Sequence, residues 1–530
     1  MSYRPVYHAS VPSGWSNDPN GTIFFNGKAH LFFQHYPHKP EWGTMHWGHF
    51  VTEDFVRWTV LPVALVPDRD YEALCGCCSG SAIEKDGKLY LLYTAAQPEL
   101  QRQCLAVSED GGITFHKEET NPILTADMLD DEVSELDFRD PRLFEKNGTY
   151  YFIAGARVLS AREIEEVRAG RGKQSGAARA GFGSIGPSAR RADMPLRSPS
   201  AGDVSGSDVQ RAGYGNLILC RSRDLYRWEY VGHLLRPQPE FDGAFYTLNG
   251  VYECPDYLEL DGAELLLSSP QNLPQMGNLY QNVHSALYML GRLDLETGRF
   301  AAQTIGEVDS GFDFYAAQTL RMPDGRAVLI AWKEMWDRNY PTQKENWAGT
   351  YSFPRELRVE NGRLIQKPVR ELDAFCKSRV FCPALRVSGG AVCPEGVRGS
   401  VIRLRFTLKP GTARRAGVRV FAGKTHETVV CYDREAGTVE IDRSRSGLPF
   451  RGREENVDVR RCGVGSLSSI DLELLLDVSS LEVFIDGGKH VMTANVYPDP
   501  EDSGVRFFAE GGTAEFLEIE QYDVIVQDAD

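Results

Sequence analysis

The 530-residue sequence predicts an all-β chain, a five-bladed β-propeller followed by a C-terminal β-sandwich. Three observations carry that expectation. Asn-Gly or Asp-Gly turns that lead into apolar runs recur five times at a regular interval. Helical periodicity is scarce between them. Past Pro354-Arg355-Glu356-Leu357 the repeat stops and long alternating strands begin.

The five turns are Asn26-Gly27, Asp86-Gly87, Asn147-Gly148, Asp261-Gly262 and Asp324-Gly325, and their glycines lie 60, 61, 114 and 63 residues apart. The long interval contains Ser160–Gly213, 54 residues of which 26 are Ala, Gly or Ser and one, Phe182, is aromatic. Such a segment buries too little apolar surface to offset its ordering entropy, so it reads as a flexible insertion. Removing it restores a period of 60. A second signal marks three of the units: Thr52-x-Asp54, Ser108-x-Asp110 and Ser222-x-Asp224. Five strand-rich units of equal length imply radial repetition, with the first strand of each blade lining a central axis.

Beyond the repeat, Val401–Leu408 and Leu481–Ile485 alternate or run apolar as sandwich strands do. The expected organisation is therefore a propeller over residues 1–357 with 160–213 inserted, a linker over 358–374, and a sandwich over 375–530.

Lys and Arg total 58 against 74 Asp and Glu, a net charge of −16, which excludes general nucleic-acid binding. No apolar run reaches the ~20 residues that cross a bilayer, and Met1–Ser10 lacks an export pattern, so a soluble, cytoplasmic protein without a membrane partner is expected. Eleven cysteines in apolar contexts suit reduced, buried thiols. Cys75-Gly76-Cys77-Cys78 contains a C-x-x-C, but no second half-site accompanies it, so neither metal nor cofactor is expected. His46 and His49 likewise lack a third ligand and read as pocket-wall or structural residues.

Position relative to each turn glycine reports position in a blade. Asp18 lies 9 residues before Gly27, Asp140 lies 8 before Gly148, and Glu253 lies 9 before Gly262. Each acid alone reads as a turn residue or a solvated charge; together they converge on the axis. Clustered carboxylates without ligand-spaced His or Cys suit glycoside hydrolysis, in which one acid attacks or activates water and another protonates the leaving group. Closely placed carboxylates cannot all stay ionised cheaply, which raises the proton affinity of one of them. Arg139 beside Asp140 is expected to hold that acid ionised. Trp42, Trp47, Gln34 and Asn17 supply the apolar platforms and amides that sugars require.

Trp15-Ser16-Asn17-Asp18-Pro19-Asn20-Gly21, Phe138-Arg139-Asp140-Pro141 and Glu253-Cys254-Pro255 resemble the three signature motifs of glycoside hydrolase family 32, the β-fructofuranosidases. The resemblance continues through Cys78-Ser79-Gly80-Ser81, Gly311–Ala316 and Trp347-Ala348-Gly349, and into Asp477–Phe484. It implies a propeller joined to a sandwich and a retaining mechanism acting on sucrose, sucrose 6-phosphate or short fructo-oligosaccharides. By motif, Asp18 is the implied nucleophile, Glu253 the acid/base, and Asp140 with Arg139 the binder of fructose hydroxyls. Asn17, Gln34, Trp42, Ser79 and Trp332 are the implied fructose contacts. Cys78 stands where the family usually has Phe.

Two other readings stay open at this stage: a carbohydrate-binding propeller without turnover, and an inverting pentosidase with a wider carboxylate pair, ~6.5–9.5 Å. A phosphate-specific subsite needs Lys, Arg or His in the pocket, and sequence position alone does not place distant residues such as Lys333 and Arg338. Oligomeric state is left open.

Overall fold

The computed structural model describes residues 2–97, 100–168, 213–235, 251–449 and 458–526. Five four-stranded antiparallel units succeed one another along the chain, and their first strands are Gly14–Phe25, Gly76–Lys85, Val133–Lys146, Tyr252–Leu260 and Tyr315–Arg321. Each first strand packs against the next, and the fifth packs against the first, which closes the ring of a five-bladed propeller. A short strand from the fifth unit, Trp347–Ala348, pairs in parallel with Gly14 and Trp15 and ties the last blade to the first.

Four of the repeated turns are two-residue hairpins with both central residues at positive φ, for example Asn26 at 48° and Gly27 at 79°. That geometry matches the twist of the flanking strands and explains the Asn-Gly and Asp-Gly choice. The fifth differs: only Gly325 has positive φ, and a longer loop joins Arg321 to Ala327. The Ser/Thr-x-Asp signal turns the third strand of a blade into the fourth. Thr52 Oγ1 accepts from the Asp54 and Phe55 amides, and Asp54 Oδ1 accepts from those of Val56 and Arg57. Ser222 and Asp224 repeat the pattern.

In the C-terminal region the 21-residue strand Gly504–Val524 runs through both layers of a sandwich. Its first part pairs with Arg415–Ala422, its last part with Ile402–Lys409, and Cys376–Val392 covers its other edge. Leu404, Phe406, Leu474 and Val483 of one layer meet Val418, Val430 and Ile441 of the other in the dry core. The opposite face of the first layer presents Leu475, Phe484 and Val491 to Tyr7, Val11 and Phe353 of the propeller.

A buried ionic network joins the two domains. Glu482 accepts from Arg355 Nη2 at 2.7 Å and from the Phe353 amide at 2.7 Å, and lies 3.2 Å from His8 Nε2. Arg355 also donates to Asp309 and Thr493, and Asp313 receives Arg338 and Arg443 at 2.6 Å each. Burial alone would raise the Glu482 pKa, but the Arg355 and His8 charges outweigh it and hold the group at about 2.

The structure corrects two expected boundaries. Residues assigned to a linker over 358–374 instead complete the fifth blade, because Arg355–Glu360 and Arg363–Pro368 are its outer strands. The turn Arg370–Phe375 then leads directly into the sandwich. The expected flexible insertion begins with a helix, Ala161–Arg168, started by Ser160 and Glu163; the remainder, 169–212, lies outside the described residues.

Glu482→Gln should lower the unfolding free energy by about 3 kcal/mol at pH 7, measured by urea denaturation, because it leaves Arg355 partly unpaired in a dry interface. The Glu482 contribution is complete above pH ~4.5 and disappears as pH falls towards about 2, so the wild-type advantage should shrink over that window.

Candidate active site

Each inner strand carries a register irregularity at the same height. In four blades two residues stand opposite one: Asn17-Asp18, Asp140-Pro141, Cys254-Pro255 and Ala316-Ala317. In the second blade Ser79 is the extra residue. Such bulges bend a strand and re-aim its side chains. Asp140, Cys254 and Ala316 accordingly have φ of 64°, 45° and 55°. The shared offset of the acids from their turns is thus the offset of the bulge.

The bulges bring the expected carboxylates together. Asp18 Oδ2 accepts from Ser79 Oγ at 2.8 Å and lies 3.4 Å from Gln34 Nε2. Gln34 and Ser79 also bond to each other. Asp140 Oδ2 accepts from the Cys254 amide at 3.0 Å, while the Cys254 sulfur sits 3.5 Å from Asp18 Oδ2 and 3.7 Å from Asp140 Oδ2. Glu253, the neighbour of Cys254, is gripped at both oxygens. Arg139 Nη2 and Nε donate to Oε1 at 3.0 and 3.2 Å, and the Tyr315 hydroxyl meets Oε2 at 2.6 Å. All three acids are buried but retain 6–8% exposure, as at the floor of a narrow pocket.

Arg139 acts on Asp140 through its charge and not through a hydrogen bond. Its hydrogen bonds go to Glu253, Asp137 and Gln101. Burial raises the Asp140 pKa to about 7; the Arg139 charge opposes the rise, and the charges of Glu253 and Asp18 add to it. Asp18 is pushed up to about 6 by burial and by Glu253, against the hydrogen bonds of Ser79, Asn17 and Cys254. A carboxylate with that proton affinity is ionised at neutral pH and readily protonated below it.

The other expected residues surround this floor. Trp15 Nε1 donates to Asn17 Oδ1 at 2.8 Å and orients its amide. Trp332 stands edge-on to both Trp15 and Trp336, and half-buried Trp42 packs on the same aromatic wall. Trp332, Trp336 and Trp42 each leave an indole N–H without a partner in a buried setting, and Trp332 is fully buried. Cys78 packs with Cys75 and Ala96 beside the acids, and all three cysteines of Cys75-Gly76-Cys77-Cys78 are free. Trp47 belongs to the core of the first two blades.

His46 is half-buried at the rim, whereas His49 stacks on Phe32 inside the blade, where burial lowers its pKa to about 2. Lys333 and Arg338 lie in the domain interface, against Ser480 and Asp313, rather than in the pocket. Among the described residues, His426, Asp499 and Asp502 group closely enough to meet a cation, but they lie on the sandwich, where the imidazole bonds both acids. Tyr315, Cys254, Trp336 and Thr94, whose hydroxyl receives the Asp140 amide at 3.0 Å, were not singled out as site residues. The bulge offset identifies Tyr315 and Cys254 in retrospect; nothing local marks Thr94 or Trp336.

Residues 8–165 and 204–368 match the profile of the glycosyl hydrolases family 32 N-terminal domain, and residues 383–523 match that of the family 32 C-terminal domain. The first match leaves out 166–203, within the Ala/Gly/Ser-rich segment. The chain is 32% identical to a sucrose-6-phosphate hydrolase of Zymomonas mobilis, over 97% of this chain and 91% of that one. It is 29% identical to a raffinose invertase of Escherichia coli, over 97% and 93%. Among solved structures it resembles a sucrose-6-phosphate hydrolase from Lactobacillus gasseri, with a TM-score of 0.78, 26% identity and coverage of 99% and 93%. A Bombyx mori β-fructofuranosidase gives 0.73, 29%, and 98% and 94%.

Ser79→Ala removes a hydrogen bond that favours the charged form of Asp18. Its titration should move from about 6 upward by roughly one pH unit. Carbon NMR of labelled aspartate side chains, assigned with Asp18→Asn, reads the shift.

Proposed function

From the premise that the chain belongs to glycoside hydrolase family 32, we propose how its buried acids divide the work of cleaving a fructosidic bond. The chain is a β-fructofuranosidase, a glycosidase that releases fructosyl units. The names of its relatives support sucrose and sucrose 6-phosphate as substrates, and we add short fructo-oligosaccharides as further candidates.

The observation that carries the assignment of roles is the cluster around Cys254. Asp18 and Asp140 approach one sulfur from two blades, and Glu253 stands next to it, held by Arg139 and Tyr315. Asp18 is the nucleophile. Its carboxylate attacks the anomeric carbon while Glu253 gives its proton to the departing oxygen, and a fructosyl ester forms. Glu253, now a carboxylate, takes a proton from water, and the resulting oxygen attacks the same carbon and frees Asp18. Two inversions retain configuration.

Asp140 binds fructose hydroxyls and faces the positive charge that develops on the sugar. Asn17, Gln34 and Ser79 hold Asp18 in place, and Trp42, packed on the buried cluster that contains Trp332, forms an apolar wall beside the ring. Asp18 must be ionised to attack, and burial beside Glu253 sets that requirement at about pH 6, so activity falls below it.

Asp18→Asn should lower kcat by roughly 10⁴-fold or more with an unchanged circular dichroism spectrum. Proton NMR of the first-formed fructose should show retained configuration. An active Asp18→Asn protein, or an inverted product, would overturn the assignment. Comparing kcat/KM for sucrose, sucrose 6-phosphate, kestose and inulin then ranks the substrates.

A further inference from the structure

The Arg139–Glu253 pair is the inner end of a longer row of charges. Asp137 Oδ1 accepts from Arg139 Nη1 at 3.0 Å, and its other oxygen accepts from Arg157 Nε at 3.3 Å. Arg157 Nη2 donates to Glu163 Oε1 at 3.0 Å. Read outward, the signs alternate: Glu253, Arg139, Asp137, Arg157, Glu163. The side chains of Arg139, Asp137 and Arg157 are 3–4% exposed and that of Glu163 is 22% exposed. The outer end lies at the root of the inserted segment. Glu163 Oε2 takes the Ser160 amide and hydroxyl at 2.8 Å each, and at Gly213, where the chain returns, a Cβ would stand 2.6 Å from Arg157 Nη1.

We propose that Asp137 and Arg157 are positioning residues for Glu253, and that this row sets, from the root of the insertion, how strongly Arg139 bears on the acid/base. The inference rests on the role given to Glu253 above. In a dry interior a guanidinium shared between two carboxylates acts on each less than one devoted to a single partner. Asp137 draws part of the Arg139 charge away from Glu253, Arg157 in turn draws on Asp137, and Glu163 on Arg157. Each replacement therefore acts with a sign set by its place in the row. The other charged or titratable groups facing Glu253 are Asp18 on the first blade, Asp140 on the third, Cys254 on its own strand and Tyr315 on the fifth. None of them belongs to the row, and Asp140 also faces the Arg139 charge, which every variant of the row leaves in place.

The test is the pH dependence of kcat/KM for sucrose in the full-length enzyme. Asp137→Asn leaves Glu253 as the one charged hydrogen-bond partner of Arg139, and the alkaline limb should move down by about one pH unit. Arg157→Gln should move it up, and Glu163→Gln should move it down by a smaller amount. Arg157→Lys should restore most of the wild-type profile. Shifts of alternating sign establish the row. Unmoved limbs, or shifts of one sign in all three variants, would overturn it, even where kcat falls. If Asp137→Asn does not fold by circular dichroism, the opposite shifts of Arg157→Gln and the partly exposed Glu163→Gln decide the matter. An inactive Glu253→Gln alongside unmoved limbs would reject the row alone, whereas an active Glu253→Gln would reject the acid/base role itself.

Discussion

Three carboxylates share a water-poor axis, and the rest of the site is arranged around the repulsion among them. Each is buried, and burial penalises charge before any neighbour is counted. The protein meets the penalty unequally. Asp18 receives hydroxyl, amide and thiol hydrogen bonds, Glu253 receives a guanidinium and a phenol, and Asp140 receives a backbone amide under a more distant cation. Unequal support gives chemically similar groups different surroundings, the condition for dividing acid and nucleophile roles among them.

The repeat supplies the geometry for this inequality. Five strands reach the axis with a bulge at one height, and each bulge delivers a different residue: Asp18, Ser79, Asp140, Cys254 with Glu253 before it, and Ala316 with Tyr315 before it. A flat strand would send alternate side chains to opposite faces, and these five positions would not converge. The sandwich completes the fold from outside the pocket. Its charged interface with the propeller absorbs Lys333, Arg338 and Arg355, so those cations serve cohesion rather than ligand binding.

Much of this was legible in the chain. Asn-Gly and Asp-Gly turns require positive φ at consecutive residues, a local demand, and they mark four of the five blades directly. Three acids at nearly one offset from those turns meet on the axis because the offset belongs to the repeated bulge. Misreadings occurred where the deciding contact is distant. Residues 358–368 read as a linker because the inner strand that anchors this hairpin, Ala327–Trp332, precedes it by a loop of more than twenty residues. Arg139 was matched to its sequence neighbour Asp140, yet it bonds Glu253, 114 residues away.

The sequence by itself determined the repeat, its turns and which acids reach the axis, because backbone conformation at a turn and spacing along a strand are properties of a few consecutive residues. Tertiary structure decided which charge faces which. Pairing in a dry interior depends on side-chain direction and on partners from other blades, so the grip on Glu253, the row through Asp137 and Arg157, and the burial of Lys333 between domains emerge only when the ring is closed.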